Sequence, residues 1–176
     1  LVALNAVNGI EEWKINLENS NIGSASASLG DFASDPVVVG STIFGVGAFG
    51  ETFSATKSGK VLWRNNIQSS SRLVVSGNSA FYSSNNSLIG RINSKNGKIV
   101  FLKEFTGKRS AKYHGPILLQ NKLLVLATDK NAYWFSPEDG RLLNKEKLGK
   151  KFSSPPVVVN KRLMFVSDDG MLNILN

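Results

Sequence analysis

The stretch that decides the fold is Pro36-Val37-Val38-Val39-Gly40-Ser41-Thr42-Ile43-Phe44, because it returns as Pro156-Val157-Val158-Val159-Asn160-Lys161-Arg162-Leu163-Met164-Phe165. Each copy is a β-branched run, a short polar turn and a second apolar run, which is how a hairpin is written in sequence. A third copy is Pro116-Ile117-Leu118-Leu119-Gln120-Asn121-Lys122-Leu123-Leu124. A weaker fourth runs Arg72-Leu73-Val74-Val75-Ser76-Gly77-Asn78 and on through Ala80-Phe81-Tyr82. The copies start at 36, 72, 116 and 156, spaced 36, 44 and 40 residues apart.

The other half of the unit repeats as well. It reads Leu4-Asn5-Ala6-Val7-Asn8-Gly9 with Trp13, then Ala55-Thr56-Lys57-Ser58-Gly59 with Trp63. Two later copies are Ile92-Asn93-Ser94-Lys95-Asn96-Gly97 with Phe101, and Phe135-Ser136-Pro137-Glu138-Asp139-Gly140 with Asn144. The large residue always stands four positions after the glycine, and the last copy loses the aromatic. The apolar runs have the usual strand length of about five residues. The Gly-Ser, Gly-Asn, Asn-Lys, Asp-Gly and Asn-Gly pairs tolerate positive φ in turns. The prolines are expected to come first in their strands, where no ladder donor is lost. Lys103 to Tyr113, with Gly107, reads as a loop.

Four short strands per unit of about 40 residues predict an all-β chain, a β-propeller of four-stranded antiparallel blades, here a partial propeller. One such sheet cannot bury both faces alone, so Trp13, Trp63 and Phe101 are expected between blades, and Trp134 on the third strand of its own. The blades are expected at 35–67, 72–105 and 115–148, with half-blades at 1–17 and 155–176, all part of a single propeller domain. Leu1 to Asn5 matches Leu172 to Asn176 in phase, which predicts a parent protein about twice as long, since propellers have roughly four to eight blades.

Composition narrows the chemistry. With no cysteine, disulfides, thiolate metal sites and cysteine catalysis are excluded within these 176 residues. No stretch approaches the roughly 18 apolar residues of a membrane helix. The chain opens on Leu1 without an initiator Met, which suggests a fragment or a processed chain. The formal net charge is +8, carried by scattered lysines with clusters at Lys108, Arg109 and Lys112 and at Lys145, Lys147, Lys150 and Lys151. Attraction to acidic partners or an anionic membrane surface explains such clusters better than nucleic acid, because Phe105, Tyr113 and Phe152 beside them fit strand patterning.

The unit resembles the PQQ-like repeat, also WD40-like in outline. The resemblance is carried by the Pro156-Val157-Val158-Val159 strand, the Asp169-Gly170 turn, Ala3-Leu4-Asn5, and Gly9 with Trp13 or Gly59 with Trp63. Within that group the order of elements is most similar to the C-terminal half of the BamB outer-membrane assembly factors. Leu29-Gly30-Asp31 before the Pro36 strand, Tyr133-Trp134-Phe135 before Pro137-Glu138-Asp139-Gly140, and the terminal Asp168 to Leu175 all fit. The resemblance implies a lipoprotein on the periplasmic face of the Gram-negative outer membrane. It implies binding to the POTRA domains of a BamA-type partner, and a contribution to β-barrel insertion. Membrane contact would come only through an anchor outside these residues. One partner-binding loop of the family carries an Asp-x-Asp pair; here the first acid matches Asp31 and the second position is Ala33.

The same repeat name raises an alternative, a fragment of a PQQ-dependent dehydrogenase or another ligand-binding propeller. That chemistry needs a vicinal Cys pair, a Ca²⁺ held by several oxygens and an Asp base. Asp168-Asp169 offers only an adjacent pair. His114, the only histidine, stands before Gly115-Pro116 without a nucleophile motif and is expected in a loop. Gly45-Val46-Gly47-Ala48-Phe49-Gly50 has the Gly-x-Gly-x-x-Gly spacing but enters a strand, so it reads as a turn. The expectation is therefore a scaffold with no catalytic residue, no cofactor and no metal.

Overall fold

A computed structural model describes residues 1–16, 34–47, 51–67, 69, 71–84, 87–105, 111–151, 156–160 and 162–175. The described residues hold strands, turns and no helix. They form two compact units, residues 1–80 with 92–98, and residues 81–91 with 99–176.

In the first unit, β1 (Val2–Leu4) pairs with β2 (Glu11–Lys14). Next, β3 (Val37–Val39), β4 (Thr42–Val46), β5 (Thr52–Thr56) and β6 (Val61–Asn65) form an antiparallel four-stranded meander. A second four-stranded sheet, with residues in both units, is built from β7 (Val74–Ser76), β8 (Ser79–Ser84), β9 (Leu88–Asn93) and β10 (Ile99–Glu104). In the second unit, β11 (Tyr113–Leu119), β12 (Lys122–Ala127), β13 (Asn131–Phe135) and β14 (Leu142–Lys147) form the third. Then β15 (Val157–Val159), β16 (Arg162–Val166) and β17 (Leu172–Leu175) make a sheet of three strands. These are the sheets of a propeller.

Both faces of an inner strand are buried, and the cross-strand register shows how. In the β11–β14 sheet, Tyr113 lies opposite Ala127, Val125 opposite Tyr133 and Leu123 opposite Phe135, so these share one face. The Tyr113, Tyr133 and Phe135 rings there surround Phe105, with centroids 5.1, 5.3 and 5.0 Å away. The opposite face carries Leu124, Leu126 and Ala132, packed on Leu163 and Phe165 of β16. The β3–β6 sheet repeats the plan: Phe53 and Ala55 pack with Ile15 on one face, and Phe44 and Trp63 share the other. An apolar pleat walled on both sides loses solvent contact along its whole length, which the continuous apolar runs had encoded.

Two expectations need correction. Pro36 and Pro156 do stand just before β3 and β15, but Pro116 lies inside β11. His114 is accordingly in a strand and not in a loop, opposite Leu126. The register shifts between His114 and Ile117, so the irregularity absorbs the proline where no ladder donor is required. Lys103 and Glu104 likewise close β10, and Tyr113 opens β11, so the predicted loop is shorter than its sequence limits.

Candidate functional site

Each aromatic of the repeat docks on the glycine of the following repeat. A Cβ built on Gly59 would fall 2.7 Å from the Trp13 ring; on Gly97, 2.7 Å from the Trp63 ring; on Gly140, 2.4 Å from the Phe101 ring. Only a residue without a side chain lets these rings approach. The indoles also hydrogen-bond: Trp13 Nε1 donates to the Lys57 carbonyl at 2.8 Å, and Trp63 Nε1 to the Ser94 carbonyl at 2.9 Å. Asn65 Nδ2 adds a bond to the Gly97 carbonyl at 2.6 Å. The three aromatics therefore bind neighbouring repeats and are not free to stack a ligand. Gly9 has nothing within 4 Å of its ideal Cβ, and Asn144 is exposed.

The polar residues singled out in sequence fill structural roles. His114 is held below the ordinary imidazole value, first by burial and then by the Lys112 ammonium. Asp169 accepts hydrogen bonds from Ser167 Oγ and from Lys150 Nζ at 3.1 Å, and these lower its carboxyl to about 2. It closes the β16–β17 turn. Gly45 and Val46 belong to β4, and Gly47 N donates to the Glu51 carbonyl at 3.0 Å, as in a strand-to-strand turn. Among the described residues, no group of three or more His, Cys, Asp or Glu is placed to hold a metal ion. Asp31 and Ala33, with Lys108, Arg109 and Phe152, lie outside the described residues.

What sequence reading missed is a convergence. Lys112, Lys147 and Lys151 reach the same end of the β11–β14 sheet, joined there by Lys130 from the β12–β13 turn, with Lys145 two residues further in, opposite Tyr133. The only local sign of Lys130 was the Asp129-Lys130-Asn131 turn signal, and nothing in its spacing linked it to the others. On the first unit, Arg64 pairs with Glu51 and donates to the Asn16 carbonyl at 3.3 Å, a pairing equally hidden in sequence.

Repeated four-stranded sheets stapled by an aromatic on the next repeat's glycine define a β-propeller of PQQ-like repeats. A family model described as outer membrane protein assembly factor BamB matches residues 1–103, more than half of the chain. The chain belongs to this family. The BamB of Escherichia coli (strain K12) is 22% identical over 160 residues, covering 90% of this chain and 40% of that protein. The BamB of Legionella pneumophila (strain Paris) is 24% identical over 179 residues, covering 100% of this chain and 46% of that one. The crystal structure of BamB from Moraxella catarrhalis matches with a TM-score of 0.82 at 17% identity, over 98% of this chain and 50% of that chain. The chain thus spans less than half the length of the curated relatives it matches.

Proposed function

We propose that this chain is part of a non-enzymatic propeller scaffold of the outer-membrane β-barrel assembly machinery. In this reading it sits at the periplasmic face of a Gram-negative outer membrane as part of a lipoprotein, with the anchor outside these residues. It binds the POTRA domains of a BamA-type partner through end loops, Asp31 among them, and assists barrel insertion. Division into one propeller domain with blades at 35–67, 72–105 and 115–148 belongs to the same proposal.

One observation carries the reading: in a chain of the BamB family, the repeat aromatics are engaged between sheets, on Gly59, Gly97 and Gly140. A catalytic propeller needs convergent titratable groups in a cleft, and the carboxylates of this chain that lie in turns, such as Asp139 and Asp169, hold those turns. A pull-down of the full-length protein with the cognate POTRA domains tests the proposal. Capture is expected, weakened by Asp31→Arg. Absence of capture would remove the partner, and indifference to Asp31→Arg would remove that loop. Quinone-dependent dye reduction by the full-length protein would favour the dehydrogenase instead.

A further inference from the structure

Cross-strand pairing gathers lysines that are far apart in sequence. Tyr113 lies opposite Ala127, Ala127 opposite Asn131, and Asn131 opposite Lys147, so the start of β11, the β12–β13 turn and the end of β14 share one end of the sheet. Backbone bonds close that end: Thr128 N donates to the Lys112 carbonyl at 3.0 Å, and Leu148 N to the Lys130 carbonyl at 2.8 Å. Asp168 N donates to the Lys151 carbonyl at 3.2 Å and brings that lysine alongside. Lys112, Lys130, Lys147 and Lys151 are exposed, and none forms an ion pair with a described residue.

Of the acids at this end, Asp129 and Asp169 are engaged, and Glu146 and Asp168 are exposed. Asp129 accepts from Tyr133 Oη at 2.8 Å and from Asn131 N at 3.1 Å, and Asp169 holds Lys150. Glu146 lies opposite Ala132, one position back along β14, and Asp168 is exposed beside Lys151. Lys145 rests its ammonium 5.2 Å over the Tyr133 ring, two residues behind Lys147.

We propose that this lysine-lined end is a docking surface for an anionic lipid bilayer. Nucleic acid is disfavoured because the nearby rings, Phe105, Tyr113 and Tyr133, are buried and offer no stacking platform. A folded acidic protein is disfavoured because, among the described residues, no Trp, Tyr or Arg is exposed there to anchor an interface. What remains is a set of hydrated point charges on flexible stems, suited to the diffuse attraction of a charged headgroup plane and not to stereospecific pairing. The inference goes beyond the scaffold reading and needs no assembly partner, so it stands or falls separately.

Co-sedimentation of the 176-residue chain with vesicles tests it. One set contains phosphatidylcholine alone, the other equal parts of phosphatidylcholine and phosphatidylglycerol. Binding is expected only to the mixed vesicles, and it should fade as salt shortens the Debye length. At roughly fivefold per lysine near such a surface, the triple variant Lys112→Ala, Lys130→Ala, Lys147→Ala should bind on the order of a hundredfold more weakly. Lys122→Ala with Arg141→Ala, at the other end of the same sheet, should leave binding unchanged. Thermal melting checks that the variants fold, and the salt titration of the parent needs no variant. No binding to mixed vesicles at low salt, or a similar loss per charge for both variants, overturns the proposal. Tighter binding to polyglutamate or duplex DNA than to mixed vesicles, abolished by the triple, would reassign the surface and overturn the lipid partner.

Discussion

Glycine and tryptophan at fixed spacing were visible along the chain, yet the contact they make joins different repeats. Gly59 stands four residues before Trp63, but Trp63 docks on Gly97, and Gly59 receives Trp13. Local spacing could not reveal this, because the pairing closes only when two sheets stack. The consequence is measurable. Gly97→Ala and Gly140→Ala force a methyl into an aromatic ring, and overpacking of that kind costs about 1–3 kcal/mol. Gly9→Ala meets no neighbour and carries only the strain of its positive φ, which Gly97 and Gly140 share. Urea denaturation should therefore rank the first two substitutions below Gly9→Ala by about that margin. His114 adds a second residue-scale test. Its folded pKa lies below the ordinary value of about 6.5. The unfolded chain therefore binds the proton first, and stability falls as pH drops below about 6.5. His114→Gln should flatten the stability profile between about pH 7 and pH 5, read from denaturation midpoints.

At the scale of the element, apolar runs announced strands but not their depth. Leu123 to Ala127 in β12 are fully buried, whereas Leu142 and Leu143 in β14 are exposed. Both strands carry a Leu-Leu pair near their start. The difference is position: β12 is an inner strand walled by sheets on both faces, and β14 is the outer strand of its sheet. Leu126→Ala should cost about 2–5 kcal/mol, the range for a core leucine that leaves a cavity. Leu142→Ala should stay within about 0.5 kcal/mol. Equilibrium unfolding of the two variants separates them. The β11 segment departs from its sequence pattern for a related reason: Pro116 signals a strand start in sequence, while a register shift lets it sit inside. The lysine convergence was invisible for the same cause, since antiparallel pairing brings Lys112, Lys130 and Lys147 together across the intervening residues.

Across the whole chain, the repeat was legible early because its 36- to 44-residue period is written in prolines, glycines and valines. The partner loop was legible only through resemblance, and Asp31 remains the proposal's residue to test. Phe101 on Gly140 staples the β11–β14 sheet to the strand before it, whereas Asn144 stands where an aromatic would staple the β15–β17 sheet onward. That last sheet is held through Leu163 and Phe165 against Leu124, Leu126 and Ala132. Local opening starts where coupling between neighbouring sheets is weakest. Amide protons of Leu163 to Val166 should accordingly exchange with solvent well before those of Leu123 to Ala127, although both sets lie in the middle strand or an inner strand of their sheets. One asparagine in the aromatic position thus decides which of these two neighbouring sheets opens first.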